Sequence, residues 1–283
     1  MSDTLFKKIT IGLISIWLVL LALLPFVLVI GSSFLQMGNL HLFRWHFVLS
    51  NYEHLFRMTY LHIFLRSLAA AFTTTLLCLL LGYPFAYCIA KAPEKMRTVL
   101  LFLIIIPFWT SSLIRTYAII TIIKAHGLLN SLLLSLHLIH QPLQILYTQW
   151  ASQLGLVYTL FPFMVLPLFA TLEKFDWQLV DAARDLGASK RQAFRKVVLP
   201  MSVPGILSGC LLVLLPAMTL FYIPDVLGGA KSLLLGNLIY NEFLEVRNWP
   251  MGASMSIALT VIMLLFLWVY SKFTNKEQRQ ALL

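Results

Sequence analysis

Charged side chains are scarce in this sequence: Asp, Glu, Lys and Arg make up 11% of 283 residues, while 60% are hydrophobic. Soluble domains carry about 25% charged residues, so the apolar surplus excludes a soluble globule and calls for lipid to cover it. Cysteine is nearly absent as well. Cys78, Cys88 and Cys210 lie inside apolar runs and form no C-x-x-C pair, which points to small packing residues rather than zinc or a disulfide framework. No G-x-x-x-x-G-K-[ST] phosphate loop, H-E-x-x-H or G-x-S-x-G motif occurs, which excludes Walker-type ATP hydrolysis and leaves enzymatic catalysis unsupported. The histidines are scattered without metal-ligand spacing. No metal and no cofactor are expected in this chain.

Acids are fewer than bases, giving a formal charge of +10. The bases sit in short clusters between long apolar runs, the pattern of a membrane protein with positive inner loops, and no nucleic-acid signature accompanies them. Nucleic acid is not an expected partner. Six spans fit, at about 9–30, 67–90, 98–120, 151–171, 203–223 and 252–270. They must be helical, since a lone segment in lipid has to satisfy its own backbone, and barrel strands would be shorter and alternating. The first run, Ile9 to Ile30, extends about 33 Å, enough to cross the hydrocarbon, and is longer than a signal peptide's apolar region. The expected organisation is one transmembrane domain over 1–283. Fourteen Lys and Arg fall on the side of the two termini and the 172–201 loop, against seven on the other, so both termini and that loop are expected in the cytoplasm.

Two segments lie between spans. Leu128 to Ile139 is short for a span and reads as an interfacial helix. Residues 231–246 carry a helical apolar stripe among Asn and Glu residues, which suits either an outer-face helix at a pathway mouth or a packing helix. Prolines 25, 84, 107, 162, 167 and 216 fall in or beside five spans and predict kinks.

The 172–201 loop holds the sharpest pattern. Asp176 can N-cap a short helix ending at Leu186, Gly187 suits a left-handed position, and Ser189 with Gln192 makes a capping box. Leu199-Pro200 should then separate the loop from span five. Ala182, Ala183, Gly187 and Ala188 are small, Leu179, Ala183 and Leu186 share a face, and charges rim the rest. That arrangement suits a docked protein, or equally a loop helix resting on its own bundle. The run Asp181-Ala182-Ala183, then three residues, Gly187, and later Leu199-Pro200 resembles the EAA loop of ABC importer permeases. Further stretches, Leu81–Tyr87, Pro107–Ala118, Leu215–Met218 and Asp225–Ala230, are similar to the spermidine/putrescine branch of that family. The resemblance implies a type I ABC importer permease, an all-α bundle in the bacterial inner membrane, importing spermidine or putrescine by alternating access. It implies that Asp181, Ala182, Ala183, Gly187 and Ala188 make or permit contact with an ATPase dimer, which carries the ATP and Mg. It also implies a second, PotC-like permease subunit and an external polyamine-binding protein. Another small solute, or a stand-alone secondary transporter, are the alternatives.

A polycation needs carboxylates, aromatic faces and carbonyls held loosely enough for release. Trp109, Tyr117, Tyr222, Asp225 and Glu242 are the candidates near span ends. Each could instead be a belt aromatic, a helix cap or a solvated acid. Arg115 reads as an anchor or gate partner, expected to snorkel from the outer end of span three.

Overall fold

The structure, a computed structural model, describes residues 2–38, 44–229 and 233–273; Ala230 and three of the Lys and Arg counted above, Lys231, Lys276 and Arg279, lie outside these. Six stretches are long and apolar enough to cross a membrane: Phe6–Ser33, Met58–Lys91, Ser112–Ser135, Gln149–Glu173, Lys190–Thr219 and Trp249–Lys272. Contacts cluster into two compact units, Met1–His62 with Leu238–Leu264, and Ile63–Asn237 with Leu265–Leu283.

In the first unit, α1 (Ser2–Ser33) is followed by a two-stranded antiparallel ribbon, β1 (Leu35–Gln36) and β2 (Arg44–Phe47), and by α2 (Ser50–Leu55). Buried Asn51 pins this corner. Its Nδ2 donates to the carbonyls of Ser33 and Leu35, both at 2.9 Å. The apolar window of α1 buries nothing, as expected of a surface whose solvent is lipid.

The second unit is organised around α7 (Gln149–Glu173). Leu156, Leu160, Met164, Leu168 and Leu172 recur every fourth residue and are all fully buried, so they form one ridge along the helix. Small residues face it from both sides. On α3 (Met58–Lys91) the buried row is Cys78, Gly82, Ala86 and Ala90; on α10 (Leu199–Thr219) it is Gly205, Gly209, Val213 and Ala217. Rows spaced by four interdigitate as ridge and groove. A Cβ on Gly209 would stand 2.7 Å from Met164 Sδ and 3.2 Å from its carbonyl, and one on Gly82 3.1 Å from Met164 Cγ. Cys78 is thus a packing residue, as its apolar surroundings suggested; Cys88 is exposed.

Two spans depart from expectation. The run over 98–120 is not one helix: α4 (Glu94–Ile105) passes into a 3₁₀ turn, Ile106–Trp109, and after extended Thr110 and Ser111 the chain restarts as α5 (Ser112–Ile123). Pro107 cannot donate a backbone bond, and Thr110 Oγ1 donates to the Pro107 carbonyl at 2.7 Å, stabilising the turn. Span five likewise stops at Thr219, where Leu220 is extended, and resumes as α11 (Tyr222–Gly228). Ile119 and Ile123 of α5, Ala151 and Leu156 of α7, and Ile223 and Leu227 of α11 make one buried cluster.

The segment 128–139 forms α6 (Leu128–Ser135), stapled to the following loop by Asn130, which donates to and accepts from Leu143 at 2.9 Å. The segment 231–246 forms α12 (Leu235–Leu244), and α13 (Trp249–Phe273) ends the described chain.

If the Gly209 contact holds α10 on α7, Gly209→Leu should destabilise the fold by about 1–3 kcal/mol and lower the melting temperature in detergent. Gly12→Leu on α1, where a Cβ meets nothing within 4 Å, should leave it unchanged.

Candidate functional site

The link from α7 to α10 folds as two short helices dictated by local sequence. Asp176 Oδ1 accepts the Gln178 N–H at 3.0 Å, and α8 runs Gln178–Asp185 with Trp177 at the N-cap. The expected Asp176 cap is therefore displaced by one residue: Asp176 bonds two residues ahead, as in an Asx turn, and Trp177 already has helical torsions. At the other end the Gly187 N–H donates to Arg184 O at 2.9 Å and the Ala188 N–H to Ala183 O at 3.0 Å, the paired bonds of a Schellman motif. Gly187 has φ +87°, the left-handed value its position called for. Ser189 then caps α9 (Lys190–Ala193) through a reciprocal box: its Oγ accepts from Gln192 N and its N–H donates to Gln192 Oε1 at 2.9 Å.

No separation occurs at Leu199-Pro200. The helix is unbroken from Lys190 to Thr219 because Phe194–Val198 adopt a π turn. The Leu199 N–H reaches back five residues to Phe194 O, and the widened turn carries Pro200, which has no N–H to offer, without a stop.

Between α8 and α9 the surface is open. Leu186 is 90% exposed and Leu179 is exposed, and a Cβ on Gly187 would meet nothing within 4 Å. Asp181, Arg184, Asp185 and Lys190 line a crevice of about 610 Å³ beside it. Apolar tips ringed by charges thus stand on a backbone that glycine leaves bare, uncovered among the described residues.

The pathway candidates fall at the interrupted spans. Trp109 closes the 3₁₀ turn and is 78% exposed; Tyr117 on α5 is also exposed. Tyr222 begins α11 with its hydroxyl buried. That burial pushes the phenol up, partly opposed by the Arg115 charge nearby. Asp225 is exposed in the first turn of α11. Arg115 turns back across the break to lie 4.9 Å from the Phe108 ring, with Nε buried. It borders an apolar cavity of about 510 Å³ between α3, α4 and α7. It ties the two sides of the interruption together.

Glu242, on α12, belongs to the other unit. Its Oε2 is buried without a hydrogen-bond partner among the described residues, and burial pushes the carboxyl above its usual value. Tyr60 lies within electrostatic reach of both Glu242 and Arg57. The interruption at 106–111 was missed from sequence although Pro107 and Thr110-Ser111-Ser112 marked it. The π turn had no marker beyond Pro200.

Residues 79–276 match the family described as binding-protein-dependent transport system inner membrane component. The spermidine/putrescine transport system permease protein PotB of Salmonella typhimurium strain LT2 is 49% identical over 275 residues, covering 96% of each chain. PotB of Escherichia coli K12 is 50% identical over 264 residues, 92% of this chain and 96% of its own. Among solved structures, a chain of a bacterial ABC transporter involved in importing the acidic polysaccharide alginate superposes with a TM-score of 0.73 at 18% identity, covering 97% of each chain. That likeness is one of fold. Six apolar helices and these relatives make the chain a multi-pass protein of the bacterial inner membrane. Matched by the family over well more than half its length, the chain belongs to the binding-protein-dependent transport system inner membrane components, the permeases of ABC importers.

Proposed function

We propose that this chain is the transmembrane permease subunit of an ATP-driven importer of spermidine and putrescine, working by alternating access. The observation that carries this reading is the sharing of about half of all residues with PotB over 96% of both chains. Binding-protein dependence belongs to the family; the receptor here is an external polyamine-binding protein, and a PotC-like second permease completes the membrane part. An ATPase dimer holds the ATP and Mg, and this chain contributes no cofactor. The excess of Lys and Arg puts the 172–201 loop and both termini in the cytoplasm.

In this reading the α8–α9 turn seats in the ATPase. Leu179 and Leu186 supply the apolar centre, Ala182, Ala183 and Ala188 keep the approach close, and Gly187 admits a partner where any side chain would stand in the way. Asp181 contributes to the polar rim. Leu199 and Pro200 act as part of the helix that carries motion from the turn into the bundle. Within the larger unit, Trp109, Tyr117, Tyr222 and Asp225 offer aromatic and acidic contacts to a polyammonium ion; Glu242, in the other unit, offers it a separate carboxylate. Arg115, which would repel the substrate, serves as the anchor of the broken span.

The assembled importer in proteoliposomes should accumulate labelled spermidine only with ATP inside the ATPase compartment and receptor outside. Uptake by the purified chain alone, without ATP, would overturn the proposal. Gly187→Leu must adopt a left-handed torsion at about 1–2 kcal/mol and place bulk in the docking surface, so coupled uptake should fall about ten-fold while the chain's abundance in the membrane is unchanged. Normal uptake by that variant would remove the docking role.

For Glu242, the sign follows from burial. The neutral form is favoured until pH passes the raised pKa, and only the carboxylate attracts the cation. Uptake should therefore climb as pH rises through a window above the ordinary 4.5. Glu242→Gln should lose that acid limb and about ten-fold in uptake near neutrality, the loss of one charge-assisted contact. An unchanged pH profile would take Glu242 out of the route.

A further inference from the structure

The end of α3 carries Tyr83, Tyr87 and Lys91 at four-residue spacing, hence on one face. That face meets the coupling loop at both of its ends. Phe194, first residue of the π turn, packs edge-on against Tyr83 at 5.8 Å and Tyr87 at 5.9 Å between ring centroids. Trp177, the N-cap of α8, packs edge-on against Tyr87 at 5.5 Å and is backed by Phe175 at 4.9 Å. Lys91 Nζ lies 4.6 Å from the Trp177 ring and 4.8 Å from that of Tyr87, one cation shared by two aromatic faces. The Tyr83 hydroxyl and Ser202 Oγ are 3.0 Å apart.

These contacts join α3 to a loop far from it along the chain. The residue entering α8 and the residue leaving α9 both rest on α3, while Leu186 and Gly187 at the turn stay uncovered. Large rings with few rotatable bonds hold their relative positions when one is displaced. The clamp also sits at two soft points. Pro84 lies inside the stripe, where its missing N–H leaves the Leu80 carbonyl without its intrahelical donor and loosens the turn that carries Tyr83, and the π turn carries Phe194.

We propose that Tyr83, Tyr87 and Lys91, clamped on Trp177 and Phe194, form a second output of the coupling loop, carrying displacement of the docked turn into α3 alongside α7 and α10. They are positioning residues; none touches nucleotide or substrate. The inference rests on the docking reading above, and its test separates the two.

The test uses the complete importer in proteoliposomes and reads spermidine imported per ATP hydrolysed. Tyr87→Leu should assemble, hydrolyse ATP within about two-fold of the parent, and import about five-fold less spermidine per ATP, the low end of coupling between sites. Tyr87→Phe, which keeps the edge contacts, should restore the ratio. Lys91→Gln should lower it less. Leu186→Asp, at the docking turn, should instead lose ATPase association, with hydrolysis and import falling together. An unchanged ratio in Tyr87→Leu, or a parallel fall of both rates, overturns the clamp. If Tyr87→Leu fails to accumulate, Lys91→Gln decides, and an unchanged ratio there overturns it equally. Normal assembly and transport by Leu186→Asp would defeat the docking reading itself, whatever Tyr87 shows.

Discussion

In lipid, an apolar side chain gains little by leaving the acyl chains for another helix, so helices stay together only where backbones approach closely and the packing is dense. The Leu156-to-Leu172 ridge of α7 between the small-residue rows of α3 and α10 meets that condition. Met164 shows how tight it is: its side chain fills the space that a Cβ on Gly82 or Gly209 would need. The α8–α9 turn joins α7 to α10, and its aromatic contacts rest on α3. The interrupted spans pack through α5 and α11 onto α7.

Around this dense centre, irregular backbone interrupts several of the apolar runs. The 3₁₀ turn and extended residues at 106–111, the stop after Thr219, and the π turn at 194–198 each lie in or beside an apolar run. Lipid does not accept free backbone groups, so such interruptions persist only where protein or a water-lined cavity surrounds them. Arg115 over Phe108 and Thr110 on the Pro107 carbonyl close the first of these with local contacts, so the break has a defined shape.

The number of apolar stretches and the place of five of them were legible because length and hydropathy determine them; the third, expected over 98–120, lies at Ser112–Ser135 and takes in most of the segment expected to be interfacial. The Gly187 turn and the Ser189 box were legible because both are local: each needs only residues within five positions to make its hydrogen bonds. What stayed hidden depends on register or on distance along the chain. Leu199-Pro200 reads as a stop when each turn is counted at 3.6 residues; a single wider turn changes the count, and nothing nearby advertises it. Asp176 was one residue off because an Asx bond and an N-cap bond draw on the same side chain. The clamp joins residues 83–91 to 177 and 194, a pairing that no periodicity within either segment contains. Glu242 was visible as an acid in a semi-apolar stripe, but its buried oxygen, without a hydrogen-bond partner among the described residues, became apparent only from its surroundings in the fold.

The length of α3 has a mechanical consequence. At 34 residues it measures about 51 Å, whereas the hydrocarbon slab is about 30 Å thick. The difference must be absorbed by tilt or by turns standing clear of the oil. Lys91, at its end, has an ammonium group that favours the aqueous margin. A rod longer than the wall it pierces can be grasped from outside, and Pro84 sets where a push on its stub would bend it.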